Sequence, residues 1–164
     1  MDGNMSNLPI SILEFIAVNP VQAGEEWAMD IEETPVSAGI YIDGCDVIDI
    51  IKSIEKPYKK REGLTVGKDY GHIQASWLYK DLCEVTNDTS YSYKYGVYLF
   101  CCRDCGEPGC WSVRCNVVED ENYVYWINFK PEHRDWEYNL LYKFEKKQYN
   151  EALEKLKYLA ESKK

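Results

Sequence analysis

Residues 98–129, YLFCCRDCGEPGCWSVRCNVVEDENYVYWINF, constrain the fold more than any other part of the chain. Residues 98–103 and 110–118 are rich in β-branched and aromatic side chains, which suit a pleated, half-buried surface. Between them stand Asp104, Cys105, Gly106, Glu107, Pro108 and Gly109, a set of turn formers. Glycine there supplies positive φ and proline fixes φ near −65°. A third β-rich run, 123–129, follows the polar turn at 119–122. The pattern predicts a three-stranded meander with a cysteine-bearing loop at one end.

The flanks supply the rest of an α+β fold. Residues 10–18 read as a strand ended by Asn19-Pro20, and 26–31 as a second, acidic strand. Residues 37–45 read as a strand running into the tight-turn pair Asp43-Gly44. Val47, Ile50, Ile51 and Ile54 share one helical face, with Asp46 as N-cap and Asp49 in the first turn, which predicts a helix near 46–55. Residues 55–69 read as a loop with a short strand at 64–66, and Ser76 as the cap of a short helix near 76–83. Residues 87–95 read as a polar, Tyr-studded connection, and 140–144 as a last strand. Tyr149, Leu153, Leu156 and Leu159 or Ala160 stripe a C-terminal helix over 146–162. The expected fold is a twisted antiparallel sheet around the meander, covered by two or three helices, in one domain spanning 1–164.

Charge narrows the partners. The chain carries −9 overall, and residues 1–60 hold eleven acids against four lysines. Such a surface repels nucleic acid and anionic membranes and favours a basic protein partner. The 14 Tyr and 5 Trp suit sheet packing and protein interfaces alike. No stretch reads as a signal peptide or a membrane span, so the expected compartment is the cytoplasm.

Seven cysteines, an odd number, then point to free thiols, a metal site or a transient redox pair. Cys102, Cys105 and Cys110 are the candidate metal ligands, with zinc as the ion. Cys102-x-x-Cys105-Gly106 has the spacing of one zinc knuckle, but a second Cys-x-x-Cys is missing. Strand alternation sends Cys101 away from Cys102, and His133 or His72 could join only through a long-range contact. Three other readings stay open: a redox pair, a Cys105–Cys110 disulfide, and thiols packed as small hydrophobes. The absence of a helix after the motif weighs against the redox pair.

His133, Arg134, Asp135 and Trp136 form a second constellation, flanked by Glu132 and Glu137. A His beside carboxylates could act as a general base, yet no serine or cysteine nucleophile has a recognisable setting and no nucleotide or metalloprotease motif is present. The residues point away from an enzyme and assign no catalytic residue. They lead to a small acidic binding protein, possible neutraliser of a basic protein, with no cofactor. A zinc or thiol protein using the loop is the alternative. Residues 132–136 are expected near that loop.

The segments GIYIDGCDVIDIIKSIE, DYGHIQASWLY, YLFCCRDCGEPGCWSVRCNV, VYWINFKPEHRDWEY and FEKKQYNEALEKL resemble a family of small, uncharacterised bacterial proteins. Its pattern is a Cys-Gly-x-x-Gly-Cys hairpin, a Val-x-Trp-x-x-Phe strand and a Phe-(Asp/Glu)-x-x-x-Tyr-x-x-Ala-Leu helix. These fall here at 105–110, 124–129 and 144–153, and the likeness covers most of residues 38–157. It implies a shared fold and carries no catalytic residues.

Overall fold

The structure, a computed structural model, describes residues 7–63 and 69–162. The elements run β1 (Ile10–Ser11), β2 (Leu13–Val18), α1 (Glu26–Met29), β3 (Ser37–Ile42), β4 (Cys45–Asp46), α2 (Val47–Arg61) and β5 (Tyr70–His72). They continue α3 (Ala75–Glu84), α4 (Tyr91–Tyr95), β6 (Val97–Tyr98), β7 (Phe100–Cys102), β8 (Val113–Glu119), β9 (Tyr123–Pro131), β10 (Tyr142–Glu145) and α5 (Lys146–Glu161). The architecture is α+β with a C-terminal helix. Among the described residues three sheets carry it, in the orders β1-β10-β9-β8-β6, β2-β3-β4 and β5-β7. The expected strand at 64–66 lies outside the described residues.

The strongest pairing is β8 against β9, antiparallel, with a register shift between Arg114 and Asn116. Trp126 and Phe144 meet edge to face at 5.5 Å on the inner side, and Tyr149 of α5 joins the same cluster, its hydroxyl accepting from Trp126 Nε1–H at 3.2 Å. Leu13, Ile40, Ile51, Leu78 and Leu156 fill the space between sheets and helices. Asp46 caps α2 as expected, accepting from the Ile48 N–H at 2.9 Å.

Several elements differ from expectation. The run 98–103 is not one meander strand. Its first part pairs with β8, and Leu99 N–H still donates to the Val113 carbonyl at 3.0 Å. At Phe100 the buried Ser112 hydroxyl takes over the next rung, accepting from Phe100 N–H at 3.2 Å and donating to its carbonyl at 2.7 Å. This frees the chain to leave β8, and β7 pairs with β5 instead. Residues 110–112 fold into the loop, and β8 starts at Val113.

Residues 26–31 form no strand. Ala28 N–H bonds back to the Glu25 carbonyl at 3.1 Å, giving the short turn of α1. Helix α2 runs past Pro57 to Arg61, with Lys59, Lys60 and Arg61 set favourably in its last turn. Helix α3 starts after Gln74, not at a Ser76 cap. The Tyr-studded connection holds α4, capped by Ser90 accepting from Tyr93 N–H at 3.0 Å.

Candidate metal centre

Cys102 ends β7, buried, opposite Tyr70 of β5. The chain then reverses within a few residues. Gly106 N–H donates to the Cys102 carbonyl at 2.8 Å, and both Cys102 N–H and Cys110 N–H donate to the Glu107 carbonyl at 3.2 Å. Gly106 holds φ +80°, a conformation that L side chains rarely adopt, and a Cβ there would stand 3.1 Å from the Trp27 indole. Both the turn and the docking of Trp27 therefore require glycine.

This fold gathers three sulfurs. The Sγ atoms of Cys102, Cys105 and Cys110 all lie within 4.8 Å of one another, and together they could bind a metal ion. Cys102 is buried, Cys110 half-buried and Cys105 exposed, so the group opens towards solvent on one side. Burial pushes the Cys102 thiol up, and hydrogen bonds with the Cys105 and Cys110 side chains add to this, while hydrogen bonds from the backbone of Cys105 and Asp104 act against it. Among the described residues no fourth His, Cys, Asp or Glu joins the three at that spacing, and no disulfide joins any cysteines.

The remaining cysteines stand elsewhere. Cys101 faces away from Cys102 as strand alternation requires, and its thiol donates to the His72 carbonyl at 3.5 Å. Burial, then the nearby Glu25 charge, pushes that thiol up. Cys115 is buried in the main core, and its thiol is likewise pushed up by burial. Cys45 and Cys83 are exposed.

The segment 132–136 does lie against the loop. His133 Nε2 stands 2.8 Å from the Gly109 carbonyl, and Glu132 N–H donates to the Ser112 carbonyl at 2.9 Å. The Arg134 guanidinium lies over the Trp111 ring at 4.8 Å. Trp136 is buried, stacked on Tyr58 at 5.6 Å, with its indole N–H on Glu62 at 2.5 Å. His133 thus meets a backbone carbonyl instead of a carboxylate, an arrangement without the acid partner that a His–acid pair needs. A cleft of about 580 Å³ beside this segment is lined by Lys130, Arg134, Trp136 and Tyr138.

His72 belongs to a different cluster, which sequence reasoning missed. Its Nδ1 meets fully buried Glu25. That carboxylate also accepts from His72 N–H at 2.8 Å and Trp27 Nε1–H at 2.9 Å. Also unforeseen is Glu55, buried in α2 and accepting from the hydroxyls of Tyr70 and Tyr138. Both pairings bridge distant segments, so no local pattern announces them.

No protein-family model matches the chain, and no curated protein or solved structure is significantly similar to it. Among the described residues no helix is long and apolar enough to cross a membrane.

Proposed function

We propose that the protein binds a zinc ion through Cys102, Cys105 and Cys110, with the ion fixing the 102–110 loop against Trp27. The convergence of the three sulfurs within 4.8 Å carries this reading. Zinc–thiolate bonds of about 2.3 Å in a tetrahedron set sulfurs about 3.8 Å apart, a spacing that a small adjustment of this group would reach. Zinc requires deprotonated ligands, and the charge of the ion itself draws the proton off a coordinating thiol such as Cys102. Binding releases thiol protons to solvent as thiolates replace water on the ion. A tight reverse turn with no following helix, of the kind at 103–106, favours metal holding over thioredoxin-like redox chemistry.

The test is elemental analysis after anaerobic purification. The expected result is close to one zinc per chain in wild type and its loss in Cys105→Ser, whose side chain is exposed. A zinc-free wild type that takes up no added zinc would reject the reading.

A second reading, docking to a basic protein, is favoured by one surface. Glu26, Asp30, Glu32 and Glu33 are exposed, as are Met29 and Ile31 in the same stretch of chain, so acidic and apolar side chains alternate there on the surface. Interfaces of this make-up pair electrostatic steering with apolar contact. Binding to a basic partner should weaken steeply with salt, and a salt-insensitive complex would count against it.

A further inference from the structure

We infer that His133 is the fourth ligand of the ion held by Cys102, Cys105 and Cys110, bound through Nδ1. This rests on the zinc reading above and adds its coordination.

The sheet itself delivers His133 to the loop. The β8–β9 register places Val113 opposite Pro131, and the pairing continues outward. Glu132 N–H donates to the Ser112 carbonyl at 2.9 Å, and His133 Nε2 reaches the Gly109 carbonyl at 2.8 Å. Gly109 directly precedes Cys110, and Arg134 on the other side is held over Trp111 at 4.8 Å. The residues on both sides of His133 are therefore fastened to the two residues that follow Cys110. His133 itself is exposed, with φ +61°, a left-handed conformation that is uncommon outside glycine and is taken most readily by Asn, Asp and His. Backbone held in that region by its surroundings is a recurrent feature of functional sites.

The ring contact also fixes the chemistry. A carbonyl oxygen only accepts, so Nε2 carries the proton and donates to Gly109. In the neutral ring Nδ1 then keeps its lone pair. A ligating histidine commonly donates its other ring N–H to a carboxylate or backbone carbonyl, which sets both tautomer and ring orientation. Three cysteines and one histidine are a common ligand set for structural zinc, and the set closes the fourth tetrahedral position. Because among the described residues no ring nitrogen joins the sulfurs at the 4.8 Å spacing, closing the site requires movement of the exposed part of the loop towards the ring.

Cobalt(II) is the probe. The full chain is titrated anaerobically, following thiolate-to-cobalt charge transfer and the visible d–d bands. Wild type is expected to show both. His133→Asn, which tolerates positive φ, is expected to keep the charge transfer, shift the d–d bands and weaken cobalt binding at least about tenfold, as even loss of a group supporting a ligand does. His133→Cys is expected to restore tight binding with a spectrum moved towards four sulfurs. Equal affinity and unchanged d–d bands in His133→Asn would overturn the assignment while leaving the three-cysteine site standing. No charge-transfer band in wild type would overturn both. Because the side chain is exposed, the metal-free stability of His133→Asn, read from the urea midpoint, should fall by no more than one exposed hydrogen bond is worth, about 1 kcal/mol or roughly fivefold in the folding equilibrium, separating ligation from a purely structural role.

Discussion

Oε2 of Glu25, a fully buried carboxylate, lies 2.6 Å from Nδ1 of His72. The pair joins the segment before α1 to the end of β5. Through Trp27, whose indole N–H donates to the same carboxylate, it reaches the glycine at the bottom of the cysteine loop. Truncating Glu25 leaves the His72 main-chain N–H and the Trp27 indole N–H without their acceptor. Glu25→Ala is therefore expected to lower stability by roughly 2–4 kcal/mol in urea denaturation. Glu25→Gln, which keeps one acceptor oxygen, should cost less. Equal losses for the two would mean that the carboxylate is not what these donors need.

Gly106→Ala tests the loop from the opposite side. A Cβ there meets both the left-handed backbone, φ +80°, and the Trp27 ring. The backbone term alone is about 1–2 kcal/mol. The expected outcome is a lower urea midpoint together with weaker zinc retention against a chelator, because the turn that gathers the sulfurs is the turn being strained. A variant as stable as wild type would show that the Trp27 contact gives way freely.

These two sites mark how far the sequence was legible. The stripe of α5, the Asp46 cap of α2 and the β8–β9 pairing are local patterns, and each folds as its residues imply. The three clustered cysteines were legible too, since their spacing and alternation exclude Cys101 from the group. What escaped depends on partners far along the chain. The break at Phe100 follows from one hydroxyl, that of Ser112, replacing a rung of the ladder. Half of residues 26–31, namely Glu26, Ala28 and Asp30, are of types that strands disfavour, and the short turn of α1 lets Trp27 N–H find the Arg103 carbonyl at 3.2 Å. His133 comes to the loop only through the sheet register.

Zinc should stabilise the fold by mass action. At a free concentration about a hundredfold above Kd, the gain is about 2.7 kcal/mol, removed by chelation. Scanning calorimetry with and without zinc checks it on two variants. Cys105→Ser should abolish the zinc-dependent rise in Tm and leave the metal-free Tm near wild type, because the side chain is exposed. Cys115→Ser should do the reverse. It places a hydroxyl in the buried core at a cost of about 1–3 kcal/mol, and it keeps the full response to zinc.

Alkaline pH should act on the Glu55 cluster. Tyr138 donates its hydroxyl to Glu55 at 2.5 Å, and Tyr70 donates to the same oxygen. Burial, then the Glu55 charge, holds the Tyr70 phenol far above its ordinary value of 10.0. Burial, then Tyr70 and Glu55, does the same to Tyr138. Above pH 10 the unfolded chain releases these protons and the folded protein keeps them. The unfolded state then binds fewer protons, so stability falls as pH rises. The slope approaches about 1.4 kcal/mol per pH unit for each phenol. Below pH 10 both states hold the protons and neither tyrosine contributes a slope. Tyr138→Phe should remove one phenol's share of the alkaline slope. At neutral pH the same change should cost about 1–3 kcal/mol, because the buried carboxylate loses a donor. Urea midpoints at neutral and alkaline pH, followed alongside tyrosinate absorbance, decide the matter. Ionisation of both phenols in the still-folded protein would show that the cluster opens without unfolding.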